Sequence, residues 1–262
     1  MTRTLTRASL AVIGALVALF MVLPLLIVVP LSFNEQASFA FPPQRFSLKW
    51  YENFFTDPAW VSSLGSSLWI GLLVTIASVT IGTMAALGLA RLGKRSAGLL
   101  RALFLSPLII PGVIIAVGIY TMFLYGQLVG TTIGFVAAHT LFAVPYVVIS
   151  VGASLATFDR RLLDAAASLG TGPIKTFFLV TLPGILPGVA AGALIAFVIS
   201  FDEVLASLFI QSPMLKTLPV QMYSSLTRDT DPTMAAASTI ILTVTSIVVV
   251  VAVVYSSRKK KL

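Results

Sequence analysis

Two adjacent acidic residues, Asp202 and Glu203, lie inside a long apolar stretch of the sequence. Apart from them, the stretch from Ile185 to Ile210 contains no charged residue. An acidic side chain at the centre of a membrane helix costs about 2.5 to 3.5 kcal/mol on insertion scales, and lipid offers it no compensation. At about 1.5 Å per residue from Pro187, Asp202 would lie about 22 Å along a helix, in the outer half of a membrane. Both carboxylates are therefore expected to face protein or water.

The chemistry that suits these two side chains is the binding of a cation. Adjacent residues of a helix point about 100° apart, so one carboxylate is able to line a cavity while the other bonds a neighbouring helix or subunit. We favour a place in an outward-open polar path for a cation over a purely structural pair. A carboxylate kept protonated by burial is an alternative.

The other reactive residue types do not assemble into a catalytic or metal site. His139 is the single histidine and the chain has no cysteine, so the sequence supplies neither a thiol nucleophile nor a ligand cluster. We interpret His139 as a hydrogen-bonded packing residue in preference to a substrate contact. The run from Gly88 to Lys94 spells G-x-x-x-x-G-K, but it lacks the Ser or Thr of a phosphate-binding loop and follows a hydrophobic helix. We therefore predict no bound nucleotide, metal or other cofactor.

The elements that must position these residues are membrane helices. Of the 262 residues, 58% are hydrophobic and 10% are charged, which is typical of a polytopic membrane protein. No stretch of mixed composition is long enough for a soluble domain, so we predict one all-α membrane domain over residues 1–262. Its six spans are predicted at about 8–31, 64–90, 102–125, 133–155, 185–210 and 233–255. The first is longer than the apolar core of a signal peptide, and we expect it to stay attached.

The distribution of basic residues predicts how the spans are oriented. Thirteen of the 17 Lys and Arg residues fall in the termini and in the loops after spans 2 and 4, and four fall in the other loops. By the positive-inside rule, both termini and these two loops face the cytoplasm. The net charge of +8 is thus a topology signal for a chain surrounded by membrane lipid, and it does not indicate a nucleic-acid partner.

Small residues and prolines within the spans predict how the helices pack and bend. Three pairs offer small faces for close helix contact: Gly82 with Ala86, Gly130 with Gly134, and Gly188 with Gly192. Three prolines are expected to bend spans 3 and 4, as static kinks in preference to a gate: Pro107, Pro111 and Pro145.

The loop of residues 156–184 is the longest polar interruption on the positively charged side. Asp159 is a suitable N-cap for a short amphipathic helix, and Arg160 and Asp164 lie four residues apart on one of its faces. Gly170 supplies a left-handed residue that ends this helix. The loop is therefore predicted to form a helix, a turn and a second helix at the membrane face.

The spacing of this loop resembles the EAA loop of importer permeases of the ATP-binding cassette (ABC) class. That loop reads acidic-Ala-Ala, three residues, Gly, nine residues, an aliphatic residue, one more residue and Leu-Pro. The corresponding residues here are Asp164, Ala165, Ala166, Gly170, Val180, Leu182 and Pro183. Asp164 stands where the family usually has Glu, and Val180 where it often has Ile, and both changes keep charge or shape. An ordinary amphipathic helix at the membrane interface is the alternative interpretation.

This resemblance implies a fold, a set of partner subunits and a separate role for each subunit. The fold is the type I ABC importer permease fold, with six transmembrane helices and cytoplasmic termini. The implied partners are a second, different permease subunit, two cytoplasmic ATP-binding subunits and an external solute-binding protein, in the bacterial inner membrane. The residues implied in coupling to the ATPase are Asp159, Asp164, Ala165, Ala166, Gly170, Val180, Leu182 and Pro183. The chain would not itself be an enzyme, since a partner hydrolyses ATP.

Further segments resemble permeases of the spermidine/putrescine type. They run from His139 to Val148 and from Thr217 to Ser225. The resemblance implies a small cationic cargo such as a polyamine. We assign Asp202, Glu203 and Tyr223 to its path. Related permeases carry opines, aminophosphonates and other small polar solutes, so the sequence leaves the cargo open.

A secondary transporter that uses Asp202 or Glu203 as a proton site is the alternative function. It predicts uptake by this chain alone that stops when the ion gradient is collapsed. The importer, in contrast, moves nothing without its ATPase. A membrane-embedded hydrolase is disfavoured because no nucleophile and base are recognisable.

Overall fold

The computed structural model describes residues 2–228 and 232–259, and nearly all regular structure in those ranges is helical. The α-helices are α1 (Thr2–Leu31), α2 (Lys49–Thr56), α3 (Pro58–Arg91), α4 (Lys94–Leu105), α5 (Gly112–Tyr125), α6 (Thr132–Thr157), α7 (Arg161–Ser168), α8 (Pro173–Thr176), α9 (Leu182–Asp202), α10 (Leu205–Ile210), α11 (Leu218–Arg228) and α12 (Thr233–Lys259). A 3-10 turn, Ser106–Leu108, precedes α5, and a π-helical turn, Phe177–Thr181, joins α8 to α9. The predicted helical character is confirmed.

Four helical segments are long and apolar enough to cross a membrane. They are Leu10–Leu31, Pro58–Arg91, Thr132–Thr157 and Pro173–Asp202. The bent pair of Arg95–Leu108 and Gly112–Tyr125 adds a fifth if it forms one span, and the described apolar part of α12, Thr233–Ile247, is shorter. These findings support a multi-pass membrane protein, whereas the number six and the side of the termini stay predictions.

The predicted third span is broken. The helical segments before and after the break meet at an angle of 94°. Pro107 lies in the 3-10 turn and Pro111 is the residue before α5. Because proline has no N–H and crowds the carbonyl four residues earlier, these two prolines end one helix and start the next. In contrast, α6 continues through Pro145.

The described chain separates into two compact units. The first contains α1, α2 and α12, with α12 packed against both of the others. The Nδ2 of Asn53 donates a 2.9 Å hydrogen bond to Oγ1 of Thr233, and Oγ of Ser32 lies 2.6 Å from the hydroxyl of Tyr51. The apolar length of α1 stays exposed within the chain, as expected for a helix that faces lipid or another subunit.

The second unit, residues 62–221, is organised around the contact between α6 and α9. A β-carbon added to Gly188 would lie 2.6 Å from the carbonyl oxygen of Ser150, and one added to Gly192 would lie 3.2 Å from Cα of Val147. A β-carbon on Gly82 of α3 would lie 2.7 Å from Cβ of Val147. Two of the predicted small faces are therefore confirmed as contact surfaces.

The third predicted small face, Gly130 with Gly134, is wrong. Gly130 lies in the turn before α6, with a φ of +74°, and its N–H donates a 2.8 Å hydrogen bond to the carbonyl of Ile210. A β-carbon on Gly134 would collide with the carbonyl of Leu128 in the same turn. These glycines are needed for a left-handed backbone and a tight turn, and they form no helix-packing face.

Candidate functional site

The loop of residues 156–184 folds into the predicted helix, turn and second helix. The first helix, α7, starts at Arg161, and Oδ1 of Asp159 accepts a 2.9 Å hydrogen bond from the Arg161 N–H. Asp159 thus satisfies one of the N–H groups that a helix start leaves free. The N-cap residue itself is Arg160, so the predicted N-cap was placed one residue too early. Arg160 lies outside α7, and its side chain bonds α3 in place of the predicted neighbour Asp164.

The C-terminal end of α7 is a Schellman motif centred on Gly170, whose φ is +73°. The N–H of Gly170 donates to the carbonyl of Ala167 over 2.9 Å, and the N–H of Thr171 donates to the carbonyl of Ala166 over 3.1 Å. Oγ1 of Thr171 adds a 2.7 Å hydrogen bond to the same Ala166 carbonyl. A β-carbon on Gly170 would meet open space. Glycine is therefore required by the backbone conformation alone, as the sequence predicts.

The second helix of the loop continues into the fifth span. Pro173 lies in the first turn of α8, and the chain then passes through the π-helical turn into α9. There the N–H of Leu182 bonds the carbonyl of Phe177, five residues earlier. The widened turn comes directly before Pro183, which has no N–H and would crowd a regular helix. Val180 and Leu182 are half-buried and Pro183 is exposed, and their role in coupling stays a prediction.

Two contacts tie this loop to its own unit. Nη2 of Arg160 donates a 2.9 Å hydrogen bond to the carbonyl of Ala90, at the C-terminal end of α3. The carbonyls of a final helical turn lack partners within the helix and carry partial negative charge, so a guanidinium suits this position. At the other end of the loop, a β-carbon on Gly184 would lie 2.7 Å from Cδ2 of Phe158, so this ring packs directly on the start of α9. The loop is thereby held at both ends.

The surface of the loop carries exposed apolar side chains. Leu162 is 50% exposed, Leu169 83% and Ile174 75%, whereas Ala166 is buried. A separate groove of about 330 Å³ lies between the loop and α3, with Leu87 of α3 and Leu163 of α7 in its walls. Clustered apolar groups outside a core mark a contact surface. Asp159, Asp164, Ala165 and Gly170 are exposed on the same loop.

The two carboxylates lie at a break in the fifth span. The helix α9 ends at Asp202 and α10 begins at Leu205, with Glu203 between them in an extended conformation. The predicted continuous helix through both residues is therefore wrong. Oε1 of Glu203 accepts a 2.9 Å hydrogen bond from the N–H of Ala206, and the Glu203 carbonyl accepts a 2.8 Å bond from Oγ of Ser207. Local bonds of this kind satisfy the backbone groups that the break leaves free, and Asp202 is exposed next to them.

His139 is completely buried and has a hydrogen-bond partner at each ring nitrogen. Nδ1 lies 3.0 Å from Oγ of Ser200, and Nε2 lies 2.9 Å from Oγ of Ser207. The interpretation of this histidine as a hydrogen-bonded packing residue is confirmed. Neither serine is predictable from the sequence, because an isolated serine in an apolar helix has no pattern that indicates its partner.

Tyr223 is the third residue predicted for a substrate path. It lies on α11, is 49% exposed, and its carbonyl accepts a 3.0 Å hydrogen bond from Oγ1 of Thr227. It belongs to the first compact unit, whereas Asp202 and Glu203 belong to the second. Its place in the path stays a prediction.

A helical chain with several membrane spans, and with a capped helix and turn between two of them, has the architecture of a membrane permease subunit. The chain belongs to the family described as binding-protein-dependent transport system inner membrane component, whose model matches residues 78–262. Members of this family are permease components of ABC importers. They are not enzymes, because a partner subunit hydrolyses ATP.

Several relatives have named functions. The putrescine transport system permease protein PotI of Escherichia coli is 32% identical over 227 residues, which cover 83% of this chain and 79% of that protein. The spermidine/putrescine transport system permease protein PotC of Haemophilus influenzae is 28% identical over 220 residues, which cover 83% and 84%. The resemblance to importer permeases of the spermidine/putrescine type is confirmed.

A solved structure has the same fold. It is a crystal structure of a bacterial ABC transporter involved in the import of the acidic polysaccharide alginate, and one of its chains matches with a TM-score of 0.71. The match covers 98% of this chain and 97% of that chain at 13% identity, so it concerns the fold alone.

Proposed function

We propose that this chain is the membrane-spanning permease subunit of an ATP-driven importer for a small cationic solute such as a polyamine. It forms part of the translocation path and couples that path to a separate cytoplasmic ATPase. The observation that carries the proposal is the short helix α7, bonded at its first N–H by Asp159 and ended by Gly170, in a member of the importer family.

The helix α7 is suited to docking on an ATPase subunit. Its ends are fixed by local hydrogen bonds, so it loses little conformational freedom when it binds. Leu162 and Leu169 supply apolar contact area, and Asp164 and Ala165 are exposed near them. Movement of the loop is transmitted to the fifth span through the unbroken helix Pro173–Asp202, and to α3 through Arg160.

The carboxylates at the break supply negative charge to the path. A solute that sheds water in a membrane needs compensating groups, and it must also leave them again. Glu203 is held in place by the Ala206 N–H, and Asp202 is exposed beside it. We place Asp202, Glu203 and Tyr223 along this path.

The cargo is inferred from the relatives. PotI is named for putrescine, and PotC for spermidine and putrescine. These names, together with two acidic residues in a broken span, favour a small organic cation.

The proposed assembly contains this chain, a second and different permease, two cytoplasmic ATPases and an external solute-binding protein in the bacterial inner membrane. We propose six spans in a single membrane domain with both termini in the cytoplasm. That topology places the loop of residues 156–184 on the same side as the ATPases.

Reconstitution of the chain with its co-expressed partner subunits in proteoliposomes tests this function. We expect putrescine or spermidine, delivered on the solute-binding protein, to stimulate both ATP hydrolysis and uptake. Uptake by this chain alone, abolished by collapsing an ion gradient, would identify a secondary transporter instead. Stimulation by anionic or neutral solutes only would refute the cationic cargo and leave the importer class intact.

A further inference from the structure

The two halves of the fifth span have different main packing partners, and α10 has only a smaller contact with α6. The first half, α9, packs on α6 through Gly188 and Gly192. The second half, α10, packs on α5, where the rings of Tyr120 and Phe209 lie 6.0 Å apart. Because the break interrupts the helix between α9 and α10, their relative position depends on contacts made across the break.

The buried ring of His139 makes such a contact. His139 belongs to α6, and its two nitrogens bond one serine on each side of the break: Ser200 in α9 and Ser207 in α10. Both serines are buried, and the ring of Phe135 packs against the imidazole with centroids 5.7 Å apart. The imidazole therefore reaches both halves from a helix that packs on only the first of them closely.

Donors and acceptors can be assigned to the hydrogen bonds around His139. The hydroxyl of Ser207 donates its proton to the carbonyl of Glu203 over 2.8 Å, so this oxygen is left to accept from the Nε2–H of His139. In a neutral ring Nδ1 then accepts from the hydroxyl of Ser200. Consecutive hydrogen bonds thus connect Ser200, His139, Ser207 and the backbone of Glu203.

We propose that His139 is a positioning residue that ties the two halves of the broken fifth span together and sets where Glu203 lies. The role of this position in transport rests on the proposed function of Glu203 in the path. The link that His139 makes between α9 and α10 can be tested independently of transport.

The test uses the absence of cysteine from the chain. Val204→Cys introduces a single thiol at the break, and its rate of alkylation by a small maleimide in the assembled transporter reports the local geometry. The variants are Ser200→Ala, Ser207→Ala, their double, and His139→Phe. Substrate-stimulated ATP hydrolysis and thermal stability are measured for each in the same preparation.

If His139 links the two halves through both serines, loss of either hydrogen bond removes the link. We expect each single serine variant to change the alkylation rate by about threefold to thirtyfold, the range in which substitutions along a coupled network act. The double variant and His139→Phe should add little to the single variants. Independent effects that multiply in the double variant, or rates equal to the parent in all of them, would overturn the proposal.

One-sided replacements supply a second readout. His139→Asn places an amide near the position of Nδ1 and keeps the bond to Ser200, whereas His139→Gln reaches the position of Nε2 and keeps the bond to Ser207. Both are expected to behave like His139→Phe, since neither joins the two halves. Parental alkylation rates and parental stimulation in either variant would mean that packing alone is sufficient.

The possible results distinguish the linking role of His139 from the proposed role of Glu203 in the translocation path. If Glu203→Gln leaves uptake unchanged, the path role of Glu203 fails, while the alkylation rates still decide whether the tie exists. If the rates are unaffected and Glu203→Gln abolishes uptake, the tie fails and the path role stands. Should His139→Phe not assemble, the smaller serine substitutions still decide the question.

Discussion

The guanidinium of Arg160 donates a 2.9 Å hydrogen bond to the carbonyl of Ala90, which joins the start of the loop of residues 156–184 to the end of α3. In the proposed transporter, this contact passes the displacement of α7 to a second membrane helix.

Arg160→Gln is expected to lower stimulated ATP hydrolysis and uptake by about twofold to fivefold, since a hydrogen bond at an exposed site contributes about 0.5 to 1 kcal/mol. Arg161→Gln is the matched control, because its backbone N–H to Asp159 survives the substitution. Equal losses in both variants would indicate a general charge effect.

Gly170→Val is expected to uncouple ATP hydrolysis from uptake. A β-branched residue at a φ of +73° costs about 1 to 3 kcal/mol, so the Schellman motif would be lost and α7 would end differently. Co-purification of the ATPase subunits and stimulated hydrolysis measure the effect, which should exceed tenfold at about 1.4 kcal/mol or more.

Gly172→Val is the control for this substitution. Gly172 has a φ of −69° and an extended ψ of 162°, which valine adopts readily, and a β-carbon there meets open space. Parental activity in Gly170→Val would contradict the assignment of this turn to coupling.

Gly188→Val is expected to destabilise the membrane unit. The added side chain would collide with the Ser150 carbonyl and with Ser154, and overpacking of this kind costs about 1 to 3 kcal/mol. Thermal unfolding of the purified complex in detergent measures it. Gly152→Val on α6 is the matched control, because a β-carbon at Gly152 has nothing within 4 Å. A melting temperature for Gly188→Val as high as that of the control would mean that α6 and α9 do not meet at this point.

Glu203→Gln separates the charge of this residue from its structural bond. The amide oxygen of Gln is still able to accept from the Ala206 N–H, so stability should be kept while polyamine uptake falls by about tenfold, equivalent to about 1.4 kcal/mol. Glu203→Leu loses the bond as well, and it is expected to lower stability by about 1 kcal/mol in addition. Full uptake in Glu203→Gln, measured with radiolabelled putrescine, would assign this carboxylate a structural role only.

Local patterns predicted much of the structure of the loop of residues 156–184. Asp159 and Gly170 act within a few residues of their own positions, through a hydrogen bond to the first N–H of α7 and a left-handed helix end, so residue type and spacing were sufficient. The same reasoning misplaced Gly130 and Gly134, because a four-residue glycine spacing fits both a helix face and a turn.

The sequence by itself determined that this is a helical membrane chain whose loop of residues 156–184 forms a short helix ended by a glycine, because hydrophobic length and helix-end signals depend on residues close together in the sequence. Only the tertiary structure decided that the fifth span breaks at Glu203, that His139 bridges the break, and that Arg160 reaches Ala90. These contacts join residues 61 to 70 positions apart. The physical reason is that a serine, a histidine or a carbonyl acquires its partner only when helices pack, and no spacing along one helix specifies which groups then meet.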